Sequence, residues 1–486
     1  MSGFAPVLNV LARILLGFGL MFLVPLAWAW GLDAAALRDV WLLGMVLTLA
    51  VGALALVLTS NQKRELQPRD GFLLANLVWL VLPVFAAVPL MLAIDGLSWT
   101  DAYFEAMSGL TATGSTVLTG LDNLPVSVNV WRCFLQLVGG LGIMLLVVAV
   151  LPMLGLGGVQ LYKAETPGPM KDARLTPRIA ETARGLWGVY FVFSAACFLS
   201  YRWVGMSWAD AFIHMCSTMG LGGSSSHDAS FGYWNSASVE MVATLFMALS
   251  GISFARYFIV WRSRSGVSLI RDDEVRAYAF VLGASILGLT VLLMTQGAFT
   301  DWSRALRTAT FHVVSVATTT GYASADYALW PVFAPVWLMF LGSFVSCAGS
   351  TGGGIKMVRM VLLIKQARRE LVRAIHPRVV NPVIMGRAPI SATVIASVMA
   401  YMLIYGATIL GLTMLMLISG LDILTAFTAV VATVNNIGPG LGQVGPSSSF
   451  GVLTDFQTWV CTVGMLMGRL ELLGVMVLFL PQFWRK

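Results

Sequence analysis

Ser315-Val-Ala-Thr-Thr-Thr-Gly-Tyr322 closes a short apolar segment with small hydroxyl residues and a glycine. The pattern recurs. Ser108-Gly-Leu-Thr-Ala-Thr-Gly-Ser115, Ser217-Thr-Met-Gly-Leu-Gly-Gly-Ser224 and Ala432-Thr-Val-Asn-Asn-Ile-Gly-Pro439 each carry glycine at the seventh place of the same eight-residue frame. One loop written four times predicts four walls of a single pore.

Composition sets the medium in which such loops would sit. Hydrophobic residues make up 58% of the chain, charged residues 11%, and the mean hydropathy is +0.83, far from soluble-domain averages. This composition predicts an integral membrane protein. Several apolar runs reach the roughly 20 residues that a helix needs to cross the hydrocarbon core, so spanning helices are expected and not barrel strands. The run near Leu8–Trp30 lacks a small-residue cleavage site and precedes a second long run, so it is expected to remain as a span. Cys133, Cys197, Cys216, Cys347 and Cys461 show no CxxC spacing, and the four histidines are scattered. Buried thiols are expected, with neither a disulfide framework nor a zinc site. The formal charge of +7 sits in connectors, which fits membrane topology better than a nucleic-acid surface.

In chain order, two spans near residues 8–30 and 40–60 form a hairpin ending in the connector Gln62–Arg69, which holds three basic residues. From there one cycle of roughly 100 residues runs four times. It consists of a long apolar span, a short amphipathic segment, a loop rich in Gly, Ser, Thr or Asn, and another long apolar span. Ser98-Trp-Thr-Asp-Ala-Tyr103 and Ser207-Trp-Ala-Asp-Ala-Phe212 open the short segments of cycles one and two, each with its tryptophan fifteen positions before the loop glycine. Asp301-Trp-Ser-Arg304 and Asp422 open those of cycles three and four. Segments of about ten to fourteen residues are too short to span, and Ser or Asp at the N-cap position predicts helices, so these are candidate re-entrant half-helices. Irregular backbone at membrane depth is tolerated only where it lines protein or a watery cavity. Each glycine loop is therefore expected to face an aqueous path, with the negative end of a half-helix directed at it.

Basic residues cluster after three cycles. Lys163, Lys171, Arg174, Arg178 and Arg184 follow the first; Arg256, Arg262, Arg264, Arg271 and Arg276 the second; Lys356, Arg359, Lys365, Arg368, Arg369, Arg373, Arg378 and Arg387 the third. These are expected to be cytoplasmic. Segments 95–129 and 421–457 carry Asp101, Glu105, Asp122, Asp422 and Asp455 with no Lys or Arg, which places the re-entrant loops outside. Those acids either raise local cation concentration or simply cap and solvate the loops.

The loop chemistry suits a small monovalent cation. Such an ion sheds water only if oxygens replace it, and backbone carbonyls do so without holding it too tightly to leave. Glycine permits the backbone angles that turn carbonyls inward and leaves the path unblocked. Thr111, Thr113, Thr318, Thr319, Thr320, Asn435 and Asn436 add neutral oxygens, and no ring of carboxylates accompanies the glycines. Four separate helix C-caps would also use glycine, but four in one register favour a filter.

The four loops, the segment Gly349-Ser-Thr-Gly-Gly-Gly-Ile-Lys356 and the late Gly468-Arg469 pair resemble the Trk/Ktr/HKT superfamily of potassium transporters. The N-terminal hairpin and Asn435-Asn-Ile-Gly-Pro-Gly-Leu-Gly442 are similar to its bacterial TrkH branch, and the likeness covers nearly the whole chain. It implies an all-α membrane protein with four M1–P–M2 repeats in pseudo-fourfold arrangement around one pore, plus an N-terminal two-helix hairpin. The expected division is 1–66 for the hairpin, then 67–170, 171–266, 267–380 and 381–486 for repeats one to four. The implied filter comprises Thr111, Ala112, Thr113 and Gly114; Gly220, Leu221, Gly222 and Gly223; Thr318, Thr319, Thr320 and Gly321; Asn435, Asn436, Ile437 and Gly438. K⁺ is expected at the backbone carbonyls of Thr111, Thr113, Gly220, Leu221, Thr318, Thr319, Asn435 and Asn436. Where the family pattern leads one to expect an aromatic, Ser224 follows Gly223, and Gly114 is followed by Ser115.

Gly349–Lys356 looks superficially like a phosphate-binding loop, yet Ile355 separates Gly354 from the lysine and Met357 follows, so no nucleotide site is expected. Glycines inside a long apolar segment unwind a helix instead. By the resemblance, Gly349, Ser350, Thr351, Gly352, Gly353, Gly354 and Lys356 form an intramembrane gate, with a plain helix kink as the alternative. Gly440-Leu-Gly-Gln-Val-Gly445 fits G-x-G-x-x-G literally, but no strand precedes it, and it is expected to shape the outer part of loop four. Arg469, inside the apolar run Trp459–Leu480, costs about 2.5–3.5 kcal/mol on insertion scales unless compensated. It is either an electrostatic barrier in the ion path, as the resemblance implies, or half of an ion pair with Glu471. Lys356 is either a gate charge or a lysine reaching the interface. His227 with Asp228 is either a vestibule pair or, as a lone exposed pair, structural, while His214 and His312 are expected to pack.

These readings converge on potassium uptake across the bacterial inner membrane by a channel-like pore, with both termini cytoplasmic. A K⁺ symporter coupled to H⁺ or Na⁺ is the alternative within transport. An enzyme would require clustered carboxylates, histidines or a nucleophile motif at a bilayer interface, which the sequence lacks. The resemblance also implies a homodimer and a cytosolic nucleotide-binding regulatory ring, TrkA-like, docked on the basic loops, with no nucleotide bound by this chain.

Overall fold

A computed structural model describes residues 4–61, 64, 66–149, 175–386 and 388–485. Lys63, Lys163, Lys171, Arg174 and Arg387 lie outside the described residues, and so does the side chain of Arg178. The molecule is built almost wholly of α-helices, as expected. The sole β pairing among the described residues is a two-residue antiparallel contact, Ile384 opposite Pro389 and Met385 opposite Ala388.

Helices α1 (Ala5–Met21) and α2 (Leu23–Leu32) run on as one span of 28 residues, and α3 (Ala35–Leu58) returns. Gly52 lets them approach closely, since a Cβ there would lie 3.3 Å from the Ala12 carbonyl oxygen. Asp33, between α2 and α3, fastens the hairpin to the rest. Its carboxylate accepts from the amides of Val126 and Ser127 at 3.1 and 3.0 Å, satisfying donors that the start of the next long helix leaves free.

Each cycle opens with a long helix: α4 (Pro68–Ala93), α7 (Leu175–Trp203), α11 (Asp273–Thr295) and α15 (Ala392–Ile418). A short helix follows each: α5 (Trp99–Leu110), α8 (Trp208–Gly220), α12 (Trp302–Ala317) and α16 (Ile423–Val434). Ser98, Ser207, Asp301 and Asp422 cap them, each side chain accepting a backbone N–H of the first turn. At 1.5 Å per residue they measure about 18–24 Å, short of the bilayer's roughly 30 Å. All of Ala102–Leu110 on α5 and Ala429–Val434 on α16 are buried, because these helices are enclosed by the long ones.

The returning segments differ. In cycle one α6 (Val126–Ala149) is continuous. In cycle two α9 (Ala237–Ser250) and α10 (Phe254–Ser263) meet at 84°, and in cycle three residues 343–356 separate α13 (Phe333–Gly342) from α14 (Met357–Ile375). In cycle four the expected apolar run Trp459–Leu480 is not one straight span. There α17 (Asp455–Arg469) turns by 105° into Leu473–Phe479, with Glu471 and Leu472 at φ +55° and +42°. The cause is polar: the turn brings Glu471 to Arg359 at 2.5 Å, where a straight helix through lipid would leave it unpaired. Among the described residues seven helices are long and apolar enough to cross a membrane, nine if each bent pair counts as one span.

Candidate functional site: a ring of four loops

The four glycine loops share one backbone signature. Ala112 and Gly114 have φ of +50° and +81°, Leu221 and Gly223 +54° and +72°, Thr319 and Gly321 +63° and +86°, Asn436 and Gly438 +53° and +105°. Left-handed backbone at alternate positions re-aims successive peptide groups, and only glycine adopts it freely. Four side-chain-bearing residues, Ala112, Leu221, Thr319 and Asn436, adopt it at the same place in each loop, which marks a conformation held by its surroundings.

The loops also meet in sequence order. A Cβ on Gly114 would overlap the Gly222 carbonyl oxygen, one on Gly223 the Thr320 oxygen, and one on Gly321 the Ile437 oxygen. A Cβ on Gly438 would lie 3.1 Å from the Thr113 oxygen, which closes the circle. Each glycine therefore leaves room for the carbonyl that precedes the next loop's glycine. Of the expected ion-binding carbonyls the one on Thr113 belongs to this ring; its companions are those of Gly222, Thr320 and Ile437. The carbonyl of Thr318 accepts from Ser346 Oγ at 3.2 Å.

Side chains lock the ring from behind. Thr111 and Thr113 hydroxyls bond at 2.7 Å, and Thr318 and Thr320 at 2.8 Å. Asn436 Nδ2 donates to Thr113 Oγ1 at 2.8 Å and Ser115 Oγ to the Gly438 carbonyl at 2.7 Å, joining loops four and one. Tyr322 reaches from loop three to α8, bonding Thr218 Oγ1 and the His214 carbonyl, each at 3.2 Å. Asn435 turns its amide outward to Tyr405.

Residues 349–356 pack against residues that precede the loop glycines. Thr351 Oγ1 donates to the Met219 carbonyl at 3.0 Å, the Gly353 amide donates to Thr319 Oγ1 at 2.8 Å, and a Cβ on Gly353 would overlap the Asn435 carbonyl oxygen. Gly349 and Gly354 both take φ +78°. Arg469, at the C-terminal end of α17 where a cation is favoured, donates to the carbonyls of Thr351 and Gly139 at 2.8 and 2.9 Å. It is not paired with Glu471, which holds Arg359 instead. Lys356 is buried, and its ammonium donates to the Gly352 carbonyl.

Two of the acids expected to face outward, Glu105 and Asp122, are tied into the structure. Glu105 is buried against Arg132 at 2.6 Å and accepts from Thr116 and Val117, so it is not a free attractor of cations. Asp228 accepts from the Leu121 amide, while its expected partner His227 bonds Asp122 at 2.5 Å and lies 3.3 Å from Asp210. Burial opposes the charged form of His227, but hydrogen bonds and attraction from the two carboxylates outweigh it and raise its pKa. His214 and His312 are packed and bonded to the Asp210 and Thr308 carbonyls. Gly440–Gly445 wraps back on α16, with Leu441 and Gln443 amides donating to Thr428 and Thr425.

Two residues escaped the sequence reading. Gln136 on α6 is fully buried and bonded to loop two, and Glu274 on α11 accepts from the amides of both Ala348 and Val358, flanking the glycine-rich segment. Their signal was a polar side chain in or at the end of an apolar span, which seldom lacks a role.

The family model for TrkH, a cation transport protein, matches residues 38–486. The Trk system potassium uptake protein TrkH of Halomonas elongata is 41% identical over 486 residues, covering 99% of each chain. That of Escherichia coli K12 is 40% identical over 439 residues, 90% of each. The crystal structure of the potassium transporter TrkH from Vibrio parahaemolyticus superposes with a TM-score of 0.92 at 37% identity, covering 99% of this chain and 100% of that one. Similarity of this extent, running through the ring and the segment beneath it, places the chain among transporters and not enzymes: it belongs to the TrkH family of cation transport proteins.

Proposed function

We propose that the protein takes up potassium across the bacterial inner membrane through a channel-like pore at the centre of the four loops, each repeat as divided above supplying one M1–P–M2 unit. The observation that carries this reading is the closed ring in which every filter glycine faces the carbonyl before the next one. A dehydrated K⁺ gains oxygens there, and four helix C-termini add negative potential. No ionised side chain stands among Thr111–Gly114, Gly220–Gly223, Thr318–Gly321 and Asn435–Gly438, which suits a monovalent ion that must leave again.

Residues Gly349–Lys356 act as the gate, with Arg469 as a positive barrier beside them; the hydrogen bonds of Thr351 to both Met219 and Arg469 support this role. Helix α14, strongly basic and continuous with the gate, is the docking face for a cytosolic nucleotide-binding regulatory ring, and the protein works as a homodimer with both termini in the cytoplasm. The test is ion flux into liposomes holding only this protein, comparing K⁺, Rb⁺, Na⁺ and Li⁺ with and without a proton gradient. K⁺ and Rb⁺ should pass without the gradient. Na⁺ passing as readily as K⁺ would sink the filter, and strict dependence on the gradient would replace the channel with a symporter.

A further inference from the structure

Loop two lacks the anchor that loop three has. Tyr322 ties loop three to α8, but the corresponding Ser224 is too short to reach a neighbouring helix in that way. The gap is filled from α6 by Gln136. Its Nε2 donates to the Gly222 carbonyl at 3.0 Å and to Ser224 Oγ at 2.6 Å, while its Oε1 accepts from Ser217 Oγ at 2.6 Å. The orientation of the amide is fixed by chemistry, since a carbonyl only accepts and the nitrogen must face Gly222. Gly222 is itself fitted to this side chain: a Cβ there would overlap Gln136 Cδ.

The Gly222 carbonyl is one of the four in the ring. Among the described residues, those of Thr113, Thr320 and Ile437 accept no hydrogen bond, so Gly222 alone is held by a side chain. That bond has two effects. It restrains the wall from collapsing onto a smaller ion, and it occupies part of the oxygen's capacity to accept.

We propose that Gln136 is a specificity-determining residue of the pore, a positioning group that sets the width of the ring at wall two and so penalises Na⁺ relative to K⁺. This rests on the filter reading above. Gln136→Met keeps the reach of the side chain and removes donor and acceptor; Gln136→Glu keeps the shape and the acceptor for Ser217 but loses the N–H. Both are reconstituted in liposomes beside Gly321→Ser, which alters the ring itself, and the inhibition of Rb⁺ uptake by Na⁺ is measured with the uptake rate.

A single hydrogen bond of ordinary net strength corresponds to roughly a five-fold rise in the Na⁺/K⁺ ratio. That rise in both variants, with Rb⁺ uptake retained, is the expected result. Either variant that elutes as a monodisperse protein suffices for the test, and where both do they must agree. An unchanged ratio in the folded variants while Gly321→Ser shifts it overturns the role of Gln136 and leaves the filter standing. An unchanged ratio in all three overturns both, and a shift in Gln136→Glu but not Gln136→Met overturns the role of the N–H by assigning the effect to added charge.

Discussion

Gly321→Ala adds one methyl group to the ring. Gly321 sits at φ +86°, where an L side chain costs about 1–2 kcal/mol, and its Cβ would overlap the Ile437 carbonyl oxygen with Pro439 Cδ 2.9 Å away. Backbone stands in the way and not a flexible side chain, so the Ile437 carbonyl must be displaced from its place in the ring. Gly297 provides the matched control, because it has φ +72° and nothing within 4 Å of a built Cβ. Alanine there carries the conformational cost without the displacement. A ligand shift that changes relative ion affinity by about 1.4 kcal/mol is a ten-fold change in preference. Gly321→Ala should therefore lower the preference for K⁺ over Na⁺ about ten-fold in liposome flux, while Gly297→Ala keeps it and loses only the thermal stability that the conformational cost alone removes. A Gly321→Ala protein with wild-type flux and selectivity would refute the ring as the selective element.

Arg469→Ala removes the charge that bonds Thr351 and Gly139; K⁺ flux should rise several-fold, and unchanged flux with impaired folding would assign the arginine a structural role only. Glu105→Gln leaves Arg132 buried without its carboxylate, so the unfolding free energy should drop by about 3–5 kcal/mol, read from thermal or denaturant unfolding; a near-neutral result would mean the pair is hydrated. His227 has a raised pKa in the folded protein, so its stabilising contribution is complete below about pH 6.5 and is lost as pH rises through the raised value. The unfolding midpoint should fall across that alkaline limb in the wild type and stay flat there in His227→Gln.

Much of the fold was legible from local signals. Hydropathy over roughly 20 residues identified the spans, Ser98, Ser207, Asp301 and Asp422 announced the short helices, and the glycine register located the loops. What these share is that every relevant residue lies within one element. The bends at Gly251–Ser253 and Leu470–Leu472 were not legible, because the helices on both sides are apolar and the partner that Glu471 turns towards, Arg359, lies far away in the chain. Neither were the assignments of charge. Glu471 lies two residues from Arg469 in sequence, yet it pairs with Arg359, which lies 112 positions away.

The sequence by itself determined that the chain lives in a membrane, that a capped short helix and a glycine loop recur four times, and that glycine recurs where backbone must turn left-handed. Only the tertiary structure decided which carbonyl each glycine accommodates, that Gln136 donates to the Gly222 carbonyl, and that Arg469 reaches Gly139 across 330 positions and Thr351 across 118. The physical reason is range: helix and loop conformations follow from neighbouring residues, whereas the ring of loops is made of contacts between separate elements, fixed by packing that no periodicity in the chain encodes.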